Sequence, residues 1–148
     1  MIILDTDHLS ALEYRAAPSA FALQARLESL SPDEIATTAI SVEEQMRGWL
    51  GLIRRYPDVH RQVPSYERLI RLFDFFAQWQ ILSFDQAAAD QFTTLRRQGI
   101  RIGTMDLKIA AIVAVRGGTL LSRNSRDFDQ VPGVHAEDLV TIVIRLSI

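Results

Sequence analysis

The sequence contains no cysteine, and this absence removes several classes of function at once. A chain without Cys has no disulfide framework, no thiolate zinc site and no catalytic cysteine. The groups left for catalysis or metal binding are carboxylates, imidazoles and hydroxyls. His8 and His60 have no second His at metal-ligand spacing, so we interpret both as packing or surface residues.

Long apolar stretches are also missing. No segment approaches the roughly 20 apolar residues that a membrane-spanning helix needs. The apolar residues before Asp5 are few and follow no basic region, which is unlike a signal peptide. We therefore expect a cytoplasmic protein with no membrane partner.

The chain has no excess of positive charge. Sixteen Lys and Arg residues stand against eighteen Asp and Glu residues, which gives a formal net charge of −2, and Lys108 is the only lysine. Any contact with nucleic acid must therefore be local, because the molecule has no global basic field. The 148 residues, 48% of them hydrophobic, fit a single globular domain spanning 1–148.

Short apolar segments alternate with helical patterns along the chain. We predict strands over 2–4, 34–40, 81–84 and 119–122. The predicted helices cover 8–15, 21–30, a segment capped by Ser41, 65–79, 85–98 and 106–115. Repeated strand-then-helix units favour an α/β fold, a three-layer α/β/α sandwich around a mainly parallel sheet of four to five strands.

Four acidic residues stand where such a sheet would bring distant segments together. Asp5 ends the first strand, Glu44 follows the second, and Asp106 and Asp127 lie on either side of the fourth. Ligands of open α/β sheets bind outside the carboxyl ends of the strands. Clustered carboxylates favour a shared cation, and oxygen ligands favour Mg²⁺ or Mn²⁺. A metal-activated water at this site would hydrolyse RNA or DNA.

Each of these acidic residues also has a purely structural interpretation. Asp5 would cap the following helix, and Glu44 would complete a capping box with Ser41, three residues earlier. Asp106 would be favoured at a helix start by the helix dipole, and Asp127 would be an ordinary turn residue. Spacing alone does not separate the two interpretations.

The segment 65–79 has two apolar rows at helical spacing. One row is Tyr66, Leu69, Ile70, Phe73 and Phe76, and the other is Leu72, Phe75 and Trp79. One face would pack on the sheet and the other would bind a second subunit or a helix of a partner protein, unless the helix is buried within one subunit. On this basis Phe75→Asp is predicted to weaken association more than folding.

Four segments together resemble one known family. They are 3–10 (ILDTDHLS), 39–48 (AISVEEQMRG), 102–111 (IGTMDLKIAA) and 120–128 (LLSRNSRDF), the last followed by VPGV at 131–134. In this order they are similar to the PIN-domain nucleases of the VapC toxin family. The sequence departs from the usual pattern in two places: 45–47 is less apolar, and Ser122 stands where Thr is commoner.

The resemblance implies a metal site and a function. The implied ligands of Mg²⁺ or Mn²⁺ are Asp5, Glu44, Asp106 and Asp127, supported by Thr6, Ser122 and Asn124. Glu44 is preferred to Glu43 because it stands four residues before Gly48, as the acidic residue of the family does. The implied activity is endonucleolytic cleavage of RNA by a homodimeric toxin that a cognate antitoxin neutralises.

Several nearby residues have two open interpretations. Asp7 would either support the metal site or cap the helix. Arg123 and Arg126 flank the site and would bind the RNA backbone, or they are simply exposed arginines. Lys108 would touch a phosphate or remain solvated.

Two other functions compete with the nuclease. An aspartyl-phosphate phosphatase would use Asp5 as the nucleophile and Asp7 as the acid, with Lys108 and the acidic pair Asp127 and Asp129 as imperfect partners. A non-catalytic module would only bind RNA or an antitoxin, but such a module gains nothing from acidic groups that face phosphate. A dinucleotide-binding domain is excluded because no Gly-x-Gly-x-x-Gly motif follows the first strand.

Overall fold

The computed structural model describes residues 1–13 and 19–140, which contain a sheet of five parallel strands. The order is β3-β2-β1-β4-β5, so the first strand lies at the centre. Leu4 is in register with Thr37 on one side and Leu121 on the other, so these strands end at one edge. The strands are β1 (Ile2–Leu4), β2 (Ile35–Thr38), β3 (Gln80–Leu82), β4 (Thr119–Leu121) and β5 (His135–Glu137).

Helices connect the strands, as parallel pairing requires. They are α1 (Thr6–Glu13), α2 (Ser19–Glu28), α3 (Ala39–Arg55), α4 (Val59–Ala77), α5 (Gln86–Arg97), α6 (Thr104–Arg116) and α7 (Ser125–Phe128), with a short 3-10 helix at Pro32–Glu34. Among the helices described, none has the length and apolar character needed to cross a membrane.

The two faces of the sheet carry separate hydrophobic cores. Successive strand residues point to opposite faces, so Ile3 packs in one core and Ile2 and Leu4 in the other. The first core is filled mainly by α5 and α6, and the second by α1, α2 and α4. Helices on both faces make a three-layer sandwich, and the predicted α/β fold is confirmed.

Helix α6 is buried over most of its length, which fixes the acidic residue at its start. Leu107, Ile109 and Ile112 are inaccessible to solvent, and burying each such side chain stabilises the fold by roughly 1.5–3 kcal/mol. Asp106, in the first turn, is therefore carried by a rigid element. The chain then enters β4 through Gly118, whose φ is +105° and where a Cβ would lie 2.6 Å from the Met1 carbonyl oxygen.

The boundary between β2 and α3 differs from the prediction. The strand ends at Thr38 rather than residue 40, and the helix begins at Ala39. Thr38 is the N-cap, because its Oγ1 accepts a hydrogen bond from the Ser41 backbone N–H at 3.2 Å. The predicted capping box of Ser41 and Glu44 is therefore wrong, and Glu44 is available for another role.

Three other element predictions need adjustment. Helix α4 begins at Val59 rather than at residue 65, because Asp58 caps it by accepting from the His60 backbone N–H at 2.9 Å. The helix contains Pro64 in its interior. The predicted sheet of four to five strands includes a fifth at His135–Glu137, whose position the sequence does not indicate because its three partly polar residues show no apolar pattern. The first helix ends at Glu13 in the described part; residues 14 and 15 of the predicted 8–15 lie outside it.

Candidate active site

Asp5 lies directly after β1, at the edge where the central strands end, and only 4% of its surface is exposed. Both carboxylate oxygens accept hydrogen bonds. Oδ2 accepts from the Ser122 hydroxyl at 2.7 Å, and Oδ1 accepts from the Thr6 backbone N–H at 2.7 Å. The Asp5 carbonyl oxygen also accepts a hydrogen bond from the Leu9 N–H at 3.0 Å, the first such bond of α1. Asp5 therefore lies at the start of α1, and its carboxylate lies at the edge of the sheet.

The surroundings of Asp5 disfavour its ionised form. Burial raises the pKa of Asp5 from 3.8 to about 7, and the nearby carboxylates of Asp7 and Glu44 contribute to the increase. The two hydrogen bonds to the carboxylate lower the pKa and offset part of this increase. A carboxyl group with such a pKa is partly protonated at neutral pH. A bound cation would reverse this effect, because positive charge favours the carboxylate.

Glu44 approaches the same place from the second turn of α3. Its Oε2 accepts a hydrogen bond from the Thr6 hydroxyl at 3.0 Å. Burial raises the pKa of Glu44, and the charges of Asp106, Asp7 and Glu43 add to the increase. The neighbouring Glu43 instead pairs with Arg47 at 2.7 Å, one helical turn on, so the two adjacent glutamates have different partners.

Asp106 and Asp127 complete the acidic group from the other side of β1. Burial raises the pKa of Asp106, and Asp127 and Asp7 contribute to the increase. Asp106 Oδ2 accepts from the Asn124 side-chain amide at 3.3 Å. Asp127 lies in α7 and is exposed. We refer to Asp5, Glu44, Asp106 and Asp127 as the acidic cluster.

Asp7 sits among these residues but is held by other contacts. Its Oδ1 lies 2.5 Å from His8 Nδ1, and its Oδ2 accepts from the Arg123 backbone N–H at 3.1 Å. His8 Nε2 accepts from the Leu139 N–H at 3.2 Å, so Nδ1 carries the ring proton and donates to Asp7. His8 is fully buried and ties α1 to the segment after β5. The sequence predicted packing for His8, but not this link to the acidic residues.

Comparison with known proteins decides the family. The PIN domain family matches this chain over residues 2–134. The chain belongs to the PIN-domain family. A relative among curated proteins, the tRNA(fMet)-specific endonuclease VapC of Salmonella typhimurium, is 31% identical over 68 residues, which are 43% of this chain and 52% of that protein. The chain thus spans about half the length of this relative.

Solved structures share the fold of this PIN domain over nearly its whole length. A chain of FitAcB from Neisseria gonorrhoeae is 23% identical with a TM-score of 0.69, covering 94% of this chain and 98% of that one. A chain of a toxin–antitoxin complex from Klebsiella pneumoniae is 24% identical with a TM-score of 0.58, covering 90% and 95%. The resemblance to VapC-type PIN proteins predicted from the sequence motifs is confirmed.

The acidic cluster of this PIN domain has the donor chemistry of a divalent-cation site. Every donor is a carboxylate oxygen, which suits Mg²⁺ or Mn²⁺, and three of the four carboxyl groups have raised pKa values. As they stand, however, no three His, Asp or Glu side chains of residues 1–13 and 19–140 form a set that could hold an ion. The donor types fit a metal, and side-chain movement would be needed to close the coordination set.

The three basic residues near the cluster are placed differently. Lys108 Nζ lies 5.9 Å from the centre of the Phe84 ring, so its stem and ammonium group face the α5 side. Arg123 and Arg126 are exposed in the segment between β4 and the end of α7, beside Asp127. Arg123 and Arg126 are neighbours in sequence of Asn124 and Asp127, so they belong to the segment that carries two residues of the site.

Proposed function

We propose that this PIN domain is a divalent-metal-dependent endoribonuclease and acts as the toxin of a toxin–antitoxin pair. The observation that carries the proposal is the acidic cluster, in which carboxyl groups from four distant segments interact at one edge of the sheet. Burial, with a further contribution from neighbouring carboxylates, raises the pKa values of Asp5, Glu44 and Asp106, an arrangement that is costly in the absence of a cation. The VapC relative, described as a tRNA(fMet)-specific endonuclease, supports RNA as the substrate.

Asp5, Glu44, Asp106 and Asp127 would hold Mg²⁺ or Mn²⁺. Such an ion, when bound, lowers the pKa of water and neutralises charge on a phosphodiester. Other residues orient the ligands: Ser122 and Thr6 hold Asp5 and Glu44, and Asn124 holds Asp106. These contacts reduce the number of orientations available to each carboxylate before a metal binds.

The contacts of Asp7 argue against the phosphatase. That mechanism needs the Asp7 carboxyl as a proton donor to the leaving group, but both of its oxygens accept hydrogen bonds from within the protein. Lys108, the imperfect candidate for the phosphate-binding lysine, lies against Phe84. The nuclease therefore accounts for more of the observed contacts.

The proposed activity is tested with purified protein and structured RNAs, with Mg²⁺ or with EDTA. Asp5→Asn and Asp106→Asn should abolish metal-dependent cleavage and leave the fold intact. Asp33→Asn is a matched control, because Asp33 is an exposed acidic residue outside the cluster. Equal cleavage by all four proteins, or cleavage that EDTA does not affect, would reject the proposal. A silent binding module would retain RNA in every case without cutting it.

An exposed apolar row on α4 supports the antitoxin partner. The exposed row consists of residues spaced by three or four, each half or more exposed: Val59, Val63, Tyr66, Ile70 and Phe73. This is the spacing by which one helix packs along another. The row borders an apolar groove of about 280 Å³ between α3 and α4. Exposed charges of both signs flank the row along α4, with Glu67 and Asp74 beside Arg61 and Arg71, so we propose that an antitoxin helix with flanking residues of both charges binds here.

Phe75 lies on the inner side of α4, so the prediction that Phe75→Asp weakens association more than folding is wrong. Phe75 is half-buried in the second core, where its ring lies 5.3 Å from that of Phe76 and 5.8 Å from that of Trp79. Phe75→Asp would therefore harm folding, and Phe73 is the residue that tests association. The homodimer, the cytoplasmic location and a single domain over 1–148 stay predictions.

A further inference from the structure

A second feature adjoins the acidic cluster. A groove of about 270 Å³ runs between α1 and α3 and is lined by Thr6, Ser10, Glu44, Gln45, Gly48 and Trp49, with Leu52 at one end. Glu44 belongs to the acidic cluster, and the Thr6 hydroxyl donates a hydrogen bond to it. A ligand in this groove would therefore touch the site where we place the reacting phosphate. The volume lies just below the roughly 300–1,000 Å³ of pockets for drug-sized ligands, which suits a smaller group.

Trp49 forms the aromatic wall of the groove. It lies on α3, five residues after Glu44, and is half-buried. Arg68 Cζ from α4 lies 5.2 Å from the ring centre, and the same guanidinium is 3.7 Å from Glu13 Oε1. The indole thus contacts a cation that is itself paired with an acidic residue, and it also packs against the second core, so its orientation is restricted before any ligand arrives.

Polar groups line the groove near this ring. Gln45 Nε2 donates to the Ser10 hydroxyl at 3.0 Å, which leaves the amide and hydroxyl oxygens with further acceptor capacity. Gly48 has no side chain, and a Cβ placed on it would meet nothing within 4 Å. The groove therefore combines a flat aromatic surface, groups that form hydrogen bonds and open space above a glycine.

We propose that this groove binds the base of a nucleotide next to the cleaved phosphate, with the base stacked against Trp49. The role beside the cleaved bond rests on the proposed nuclease function. Stacking on an aromatic side chain is a common way of binding single-stranded nucleic acid, because every base has a flat face. This chain needs such a contact, since its net charge of −2 gives no general attraction to a polyanion.

Base binding can be measured without any cleavage. The chain has two tryptophans, so Trp79→Phe leaves Trp49 as the only source of indole fluorescence. In this background we expect uridine and adenosine 5′-monophosphates to quench the fluorescence in a saturable way in the presence of Mg²⁺. Ribose 5-phosphate, which has the same phosphate and sugar but no base, should not quench.

Two glycines of α3 provide a matched pair of variants. Gly48→Leu places a branched side chain in the groove and should weaken nucleotide binding roughly 5- to 100-fold, the range expected for loss of one stacked base. Gly51→Leu changes the same helix one turn on, also where a Cβ meets nothing within 4 Å, but outside the groove lining. It should leave binding unchanged. Both replacements favour the helix, so melting temperatures should not fall.

The outcomes separate this proposal from the nuclease. Quenching that Gly48→Leu weakens and Gly51→Leu preserves supports the groove, as does slower RNA cleavage by Gly48→Leu alone. Absent quenching at millimolar nucleotide, equal quenching by ribose 5-phosphate, or equal affinity in both glycine variants overturns it. Metal-dependent cleavage by the wild type together with absent quenching would reject the groove and retain the nuclease. Quenching without cleavage would reject the nuclease and retain base binding in the groove.

Discussion

Replacing Asp5 by Asn removes a carboxyl group whose pKa is raised by folding, and the effect on stability can be worked out from the structure. The pKa rises from 3.8 to about 7, so the metal-free native protein holds a proton that the unfolded chain has already released. The resulting contribution to stability is full below about pH 4 and is lost as the pH rises through 7. At pH 8 the loss reaches about 4 kcal/mol, at roughly 1.36 kcal/mol per pKa unit.

The asparagine of this variant carries no charge at any pH, so the variant would not lose stability in this way as the pH rises. It would weaken the contact with the Ser122 hydroxyl, now 2.7 Å from Asp5 Oδ2, at a cost of about 1 kcal/mol. The expected net gain for Asp5→Asn at pH 8 in EDTA is therefore about 3 kcal/mol. For a chain of this size, that gain raises the melting temperature by roughly 6–12 °C.

The assay is thermal unfolding of wild type and Asp5→Asn in EDTA across pH 4 to 8. The difference in melting temperature should be near zero or slightly negative at pH 4 and should grow as the pH rises. Asp33→Asn, an exposed position, should show no such trend. A constant difference across the pH range, or a less stable Asp5→Asn at pH 8, would show that burial and neighbouring charge do not disfavour the Asp5 carboxylate.

Substitutions at three further positions test single contacts. Ser122→Ala removes the hydroxyl that holds Asp5, and Mn²⁺ affinity by calorimetry should fall roughly 10- to 100-fold; unchanged affinity would contradict this. Thr6→Val removes the hydrogen bond to Glu44 and should lower metal-dependent cleavage by a similar roughly 10- to 100-fold factor, whereas Thr6→Ser should restore most of it. Phe73→Asp should abolish antitoxin capture while changing stability by no more than about 0.5 kcal/mol; retained capture would place the docking site elsewhere, and a large loss of stability would show that Phe73 is needed for folding.

The location of the acidic cluster could be predicted from the sequence because parallel strands end at a common edge. Asp5 follows a strand of only three residues, and the registers with β2 and β4 leave little choice of position. Asp106 stands at the start of a helix whose residues 109–115 are all apolar, and most of these are buried. At these two residues the local sequence pattern therefore predicts where the side chain lies in the fold.

Other features depend on contacts that no sequence pattern specifies. Thr38 rather than Ser41 caps α3, although both are good capping residues, because the strand ends earlier than its composition suggested. Phe73 and Phe75 are equally hydrophobic, so only the packing of α4 on the second core determines that Phe75 faces inward and Phe73 outward. The contact of His8 with Leu139 joins residues 131 positions apart and has no local signal.

Anomalous X-ray diffraction from a crystal of the wild-type protein soaked in Mn²⁺ would show directly whether the acidic cluster binds a divalent ion. We predict a strong anomalous peak within coordination distance of Asp5, with Asp106 and Glu44 or Asp127 turned toward it, and no such peak in Asp5→Asn. A soaked crystal with no peak at this edge of the sheet, or with Mn²⁺ bound only elsewhere, would contradict the proposal that these carboxylates share a divalent ion.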